Sequence, residues 1–173
     1  EEKAIAGFIS LHQLHVAVCR VDERILYTKI KELDGLIQKL KLRARISYSL
    51  PFSHINEFHQ SYLDCSLALK VSDKNIVSFA NIEVEGLIHQ IDEKLTTRFA
   101  KRVLKKLDET KLANLQVFFD KDLNIQKAAE ALFVHRNTLI YRLNKIKEET
   151  GYDPRVFQDA LILQVALWIH RFS

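Results

Sequence analysis

The stretch AAEALFVHRNTLIYRLNKI, residues 128–146, predicts two short helices joined by a tight turn. Apolar residues recur at helical intervals on both sides of a break at residues 133–135, namely Ile125, Ala128, Ala129 and Leu132 before it and Leu139, Leu143 and Ile146 after it. Two apolar stripes so close together must face each other. We therefore expect the small side chain of Ala129 to allow the two helices to approach closely, and the side chain of Val134 to fill the space inside the turn. This pattern is typical of a DNA-binding helix-turn-helix, and also of a plain helical hairpin in a protein core.

The second predicted helix favours the DNA-binding interpretation over the plain hairpin. At about 100° per residue, its apolar residues share one side, and the opposite side carries Asn137, Tyr141, Asn144 and Lys145. Residues 136–147 contain four basic side chains and no acidic one. A helix that enters the major groove must keep carboxylates away from the phosphates, whereas a merely solvated helix usually mixes both signs.

Roles for the outward residues follow from the geometry of recognition helices, whose first turn points at base edges. We expect Arg136 to donate to guanine and Asn137 to pair with adenine, with Tyr141 reaching a thymine methyl or a phosphate one turn later. The residues better placed for backbone phosphates, which set register without specifying sequence, are Thr138, Arg142 and Lys145.

Two other basic features of the sequence each allow two interpretations. His135 either caps the second helix or touches a phosphate. Residues 94–106 contain six Lys and Arg and no acid, with an apolar stripe of Phe99, Val103, Leu104 and Leu107. This pattern predicts an amphipathic helix whose cationic face either supports DNA phosphates or is only solvated.

The string HRNTLIYRL, followed by KIKEETGYDP and preceded by FFDKDLNIQKAAEALFV, resembles the C-terminal DNA-binding domain of the PucR family of bacterial transcriptional regulators. This family includes the sugar-diacid regulators, and the resemblance covers roughly residues 112–172. It implies a Fis-type helix-turn-helix that binds double-stranded DNA and controls a metabolic operon in response to a small molecule.

The first half of the chain has a different pattern, in which strands and helices alternate. Residues 14–21 and 44–50 have strand character, residues 76–79 form a short final strand, and residues 25–42 and 55–69 have helical periodicity. We expect one side of the second helix to be formed by Ile55, Phe58, Tyr62, Cys65 or Ser66, and Leu69. The predicted fold class is therefore α+β, with a small α/β sheet domain at residues 1–82 and an all-α helix-turn-helix domain at residues 83–173.

Residues 51–69, PFSHINEFHQSYLDCSLAL, resemble a helix of the domain that precedes the helix-turn-helix in PucR-type regulators. That domain is similar to the nucleotide-cyclase fold of diguanylate cyclases, which implies a GGDEF-like domain. The Gly-Gly-Asp/Glu-Glu-Phe hairpin of such cyclases is missing, because residues 8–13 read FISLHQ. Without paired carboxylates this site holds no Mg²⁺ pair, so we expect a degenerate, non-catalytic scaffold.

Composition fits a cytoplasmic protein that is not an enzyme. The 173 residues are 47% hydrophobic and 28% charged, and no apolar run approaches the roughly 20 residues that span a membrane. The N-terminus lacks a signal-peptide pattern, and Cys19 and Cys65 are expected to be reduced thiols. No nucleophile motif or glycine-rich phosphate loop is present, so we expect no catalytic residue, metal or cofactor.

Net charge does not locate a nucleic-acid site. The total is +4, with eleven Lys and Arg against nine Asp and Glu in residues 1–82, and fifteen against thirteen in residues 83–173. The local distribution of charge in residues 94–106 and 136–147 is therefore the informative quantity.

The last helix is predicted to begin at Pro154, after Gly151 breaks the chain and Asp153 provides a cap. It is apolar on most sides, so we expect a core helix that also contributes to a homodimer. A two-fold dimer places two recognition helices about 34 Å apart on successive major grooves. The chain contains no methionine, so we expect a fragment whose small-molecule effector acts on an upstream segment.

The sequence thus favours a sequence-specific, DNA-binding transcriptional regulator. Two alternatives from other classes are a dimerisation or protein-interaction module that does not bind DNA, and a nucleotide cyclase-like enzyme.

Overall fold

The computed structural model describes residues 3–10, 13–19 and 22–172, and the chain divides into two compact units, Glu1–Glu83 and Val84–Ser173. The first unit contains β1 (Lys3–Ser10), β2 (Gln13–Cys19), α1 (Glu23–Lys39), β3 (Ile46–Tyr48), α2 (Phe58–Val71) and β4 (Ile76–Ser78). The helices that follow are α3 (Glu83–His89), α4 (Glu93–Leu104), α5 (Glu109–Asp120), α6 (Ile125–Ala131), α7 (Arg136–Thr150) and α8 (Phe157–Phe172). The predicted α+β fold class is confirmed.

The strands form two separate two-stranded sheets. β1 and β2 pair antiparallel, and the register shifts near Phe8. β3 and β4 pair parallel, with Ile46 opposite Ile76, and α2 forms the crossover that a parallel pair requires. The predicted strand at residues 44–50 is shorter than expected. Residues 11 and 12 of the stretch 8–13, and residues 20 and 21 of the predicted strand 14–21, lie outside the described part of the chain.

α1 begins and ends earlier than the predicted 25–42. The Asp22 carboxylate accepts a hydrogen bond from the Ile25 amide at 2.9 Å, which fixes the start. Lys41 has a φ of 53°, and its amide donates to the Gln38 carbonyl at 3.0 Å. A left-handed residue at this position ends a helix, so the last predicted turn does not form.

The predicted apolar side of α2 is wrong at its N-terminal end. Ile55 lies in a 3-10 turn and is 82% exposed, and Phe58 is also exposed. The buried residues are Ala68 and Val71, because the C-terminal half of the helix packs on β3 and β4. Cys65 is a free thiol, and burial raises its pKa.

The helical unit has one main core. The largest side chains fully buried in it belong to α5, α7 and α8, namely Leu115, Phe118, Leu139, Leu143, Ile146 and Leu163. α4 packs along α8, α6 packs on α7, and α5 contacts both α6 and α7. A smaller cluster of Ile88, Ala100 and Ile169 continues the packing between α3, α4 and α8.

α8 begins at Phe157 rather than at Pro154. The Val156 amide donates to the Asp153 carbonyl at 3.0 Å, so Asp153 and Pro154 form a separate turn before the helix. The predicted core role of α8 is confirmed by the burial of Ala160, Leu163, Ala166, Leu167 and Ile169.

Two structural features are absent from the described ranges. No helix there is long and apolar enough to cross a membrane. No three His, Cys, Asp or Glu side chains in the same ranges form a group that could hold a metal ion.

Candidate nucleic-acid interface

A tight turn joins α6 to α7 at residues 132–135, as predicted. The Phe133 amide donates to the Glu130 carbonyl at 3.1 Å, and the Val134 amide donates to the Ala129 carbonyl at 3.0 Å. Phe133 has a φ of 54°, in the left-handed region. These bonds end α6 and turn the chain so that α7 begins at Arg136.

The facing stripes of the two helices are also confirmed. Ala128 and Ala129 on α6 are buried, and Leu139, Leu143 and Ile146 on α7 are inaccessible to solvent. Val134 is half-buried and packs on the same core. One side of α7 is therefore fixed inside the unit, which leaves the opposite side to face outward.

His135 is the N-terminal cap of α7. Its backbone is extended, and its Nδ1 accepts a hydrogen bond from the Asn137 amide at 3.2 Å. The cap satisfies one of the free amides of the first turn. Of the two roles left open by the sequence, the structure shows capping.

The first turns of α7 present exposed polar side chains. Arg136, Asn137, Thr138 and Tyr141 are exposed. The side chains of Arg136, Asn137 and Thr138 make no hydrogen bond to any residue that the structure describes. Their donors and acceptors are therefore available to a ligand, and no residue has to be displaced first.

Arg142 is placed differently from the other predicted site residues. It is half-buried, and its guanidinium donates to the Asn114 Oδ1 at 3.0 Å. Asn114 on α5 is only 2% exposed, and its Nδ2 has no partner within the described residues. The bond ties α7 to α5, and the other guanidinium donors remain for an external acceptor.

The position of Asn114 in the sequence indicates this hydrogen bond, although the periodicity of apolar residues alone does not reveal it. Asn114 lies between Leu112 and Leu115 on a helix whose apolar residues are buried. A polar side chain on a buried helical face needs a hydrogen-bonding partner, and Arg142 is that partner.

Lys145 lies on the outer side of α7 in an exposed ion pair. Its Nζ is 2.6 Å from the Glu148 Oε2 and 5.8 Å from the centroid of the Tyr141 ring. The hydrogen bond to Glu148 raises the pKa of Lys145. Because exposed pairs are worth little, a phosphate can compete with Glu148 for this ammonium.

Asn144, which was predicted to face outward, is instead bonded to the turn before α8. It is half-buried, and its Oδ1 accepts from Arg155 at 2.8 Å. The outward surface of α7 is consequently narrower than the helical wheel predicts.

A charged latch, consisting of Lys147, Asp153 and Arg155, joins the end of α7 to the turn before α8. The buried Asp153 accepts from the Arg155 Nε at 2.8 Å and lies 3.1 Å from the Lys147 Nζ. The hydrogen bond from Arg155 holds the pKa of Asp153 well below its usual range, although partial desolvation opposes this. The latch was not predicted from the sequence.

The latch makes stability dependent on pH at the acid end. Because the folded-state pKa of Asp153 is lowered, its contribution is complete above the unfolded pKa of about 4 and is lost as the pH falls further. We expect Asp153→Asn to lower the free energy of unfolding by about 2 kcal/mol at pH 7, and to flatten its decline below pH 4. Urea unfolding followed by Trp168 fluorescence measures both; an equally steep acid decline in the variant would contradict this role.

The predicted amphipathic helix is α4, and its basic side chains lie on the solvent side. Lys94, Arg98, Lys101 and Arg102 on the helix, and Lys105 and Lys106 just after its end, are all exposed. Arg102 donates to the Tyr152 hydroxyl at 3.3 Å, just after α7 ends. The buried stripe of Val103 and Leu104, with Phe99 and Leu107 half-buried beside it, is confirmed.

The geometry of α6, the turn and α7 is that of a helix-turn-helix. Residues 112–169, about a third of the chain, match the family model of the PucR C-terminal helix-turn-helix domain, so this segment is similar to that domain.

Three curated relatives are similar to part of this chain. The carbohydrate diacid regulator of Escherichia coli (strain K12) is 46% identical over 66 residues, which are 37% of this chain and 17% of that protein. The purine catabolism regulatory protein of Bacillus subtilis (strain 168) is 36% identical over 64 residues, 37% of this chain and 12% of that protein. The proline-responsive transcriptional activator PutR of the same strain is 25% identical over 148 residues, 76% of this chain and 36% of that protein. The chain thus spans well under two thirds of the length of these relatives.

Proposed function

We propose that this chain is part of a PucR-family transcriptional regulator whose α7 binds double-stranded DNA in the major groove. The observation that carries the proposal is the exposed start of α7. The side chains of Arg136, Asn137 and Thr138 make no hydrogen bond to any described residue, while Leu139 and Leu143 fix the other side of the helix. The match of residues 112–169 to a helix-turn-helix family supports this use of the surface.

The proposed base contacts are made from the first two turns of α7. The Arg136 guanidinium donates to the guanine O6 and N7, and the Asn137 amide pairs with the adenine N6 and N7. Tyr141 is 62% exposed and lies one turn further along, where it contacts a thymine methyl or a phosphate.

The proposed phosphate contacts are Thr138, Arg142 and Lys145. Arg142 offers the guanidinium donors that Asn114 does not use, and because it is anchored it loses little side-chain entropy on binding. Lys145 exchanges Glu148 for a phosphate. These contacts fix the register of α7 on the duplex without specifying sequence.

The wider assembly is part of the same proposal. We propose a cytoplasmic homodimer with two recognition helices about 34 Å apart, and an effector that binds upstream of residue 1. The relatives are named as a carbohydrate diacid regulator, a purine catabolism regulatory protein and a proline-responsive transcriptional activator, which supports control of a metabolic operon.

We also propose residues 1–82 as a GGDEF-like scaffold without catalytic activity, and residues 83–173 as the DNA-binding domain. Residues 8–13 lack the glycines and carboxylates that a cyclase needs to bind metal and nucleotide. The compact units Glu1–Glu83 and Val84–Ser173 support this division.

The salt dependence of DNA binding tests the electrostatic part of the proposal. Each neutralised phosphate contributes about −0.9 to the slope of log K against log salt, so Arg142 and Lys145 predict about −2 per subunit. Lys145→Gln is expected to make the slope shallower by about 1 per subunit. Fluorescence anisotropy with labelled duplex at several salt concentrations measures the slope for both chains. A slope near zero would exclude phosphate neutralisation and favour a module that does not bind DNA.

A further inference from the structure

Phe133 is the most exposed large apolar residue among those whose side chains the structure describes, and it lies in the turn of the helix-turn-helix. Its side chain is 96% exposed, although the flanking Leu132 and Val134 are half-buried and pack on the core. The ring is therefore directed outward at the point where α7 begins.

Neither the turn nor the core accounts for a phenylalanine at this position. The φ of 54° lies in the left-handed region, where a β-carbon is strained and glycine or asparagine is preferred. A ring that stays in water also gains nothing from folding. Both the backbone and the solvent therefore favour a smaller or more polar residue here.

The surroundings of Phe133 indicate what covers the ring. Residues 125–147 contain five Lys and Arg and one acid, Glu130. The Glu130 carboxylate already accepts a hydrogen bond from Gln126 at 2.7 Å. An exposed ring beside a cationic helix fits a polyanion that also presents apolar C–H surface, which describes the sugar–phosphate backbone of DNA.

The position of the ring indicates contact with the DNA backbone rather than with a base. Phe133 precedes the cap His135 by two residues and Arg136 by three, so it lies ahead of the turn that reaches the base edges. We infer that Phe133 packs against deoxyribose on the backbone strand beside the groove that α7 enters. This inference rests on the proposed DNA-binding function and adds an apolar contact that does not depend on base sequence.

The test compares Phe133→Gly and Phe133→Asn with the unchanged chain. Both replacements accept the left-handed backbone and remove the ring, so we expect melting temperatures, followed by Trp168 fluorescence, that are not lowered. Binding should weaken about tenfold for promoter DNA and for unrelated duplex alike, with an unchanged salt slope, because no charge is lost. Tyr27→Ala removes another exposed aromatic ring, on α1, and should leave binding unchanged.

The outcomes separate this inference from the proposed function. An unchanged chain that binds DNA, with Phe133 variants that bind equally well, overturns the inference alone. A loss confined to promoter DNA also overturns it, since that result indicates base contact. An unchanged chain that binds no duplex overturns the proposed function and this inference together.

Discussion

Leu143→Ala is expected to lower the free energy of unfolding of the helical unit by about 3 kcal/mol. Leu143 is inaccessible to solvent on the buried side of α7, in the same cluster as Phe118 and Leu163. Truncation removes buried methyl groups and leaves a cavity that a helix held from several sides cannot easily fill. Because the same side chain fixes the orientation of α7, DNA affinity is expected to fall with stability.

A matched control is available on α8. Leu161→Ala makes the same chemical change at a side chain that is 44% exposed, so we expect a loss below about 1 kcal/mol. Urea unfolding reports both variants through Trp168, the only tryptophan in the sequence, which packs on the smaller cluster of the helical unit. Equal losses in the two variants would show that Leu143 is not a core residue.

Alanine at Arg136 or Asn137 is expected to weaken specific DNA binding by about 1–3 kcal/mol for each base contact removed. Both side chains are exposed and unbonded within the described chain, so stability should change by less than about 0.5 kcal/mol. The affinity for the preferred sequence should fall more than the affinity for unrelated duplex. This difference should be largest for the Asn137 variant, because asparagine carries no charge.

Gln158→Ala provides the control for these variants, because it removes an exposed polar side chain from the first turn of α8. It should leave the affinity for both duplexes unchanged. If Asn137→Ala weakens binding to all sequences equally, or not at all, Asn137 is not a base-reading residue.

The helix pair was predictable from the sequence because its signal is local. Leu139, Leu143 and Ile146 recur at intervals that only a helix places on one side, and the structure buries all three. The outward position of Arg136 and Asn137 follows from the same periodicity.

The features that could not be predicted depend on contacts between elements that are separate in the sequence. Arg142 and Asn114 lie on different helices, and only the packing of α5 against α7 brings them together. The latch at Asp153 depends on the turn that delays α8 until Phe157. In α2, apolar residues occur on several sides, so contact with β3 and β4 rather than periodicity selects Ala68 and Val71 for burial.

A competition mobility-shift assay with DNA flanking the native gene, using the unchanged chain and Asn137→Ala, tests whether α7 recognises a specific sequence. We expect a retarded complex that unlabelled flanking DNA displaces at least about a thousandfold better than unrelated duplex, and a clear reduction of that ratio in the variant. A complex displaced equally by both duplexes, or no complex at all, would contradict sequence-specific recognition by α7.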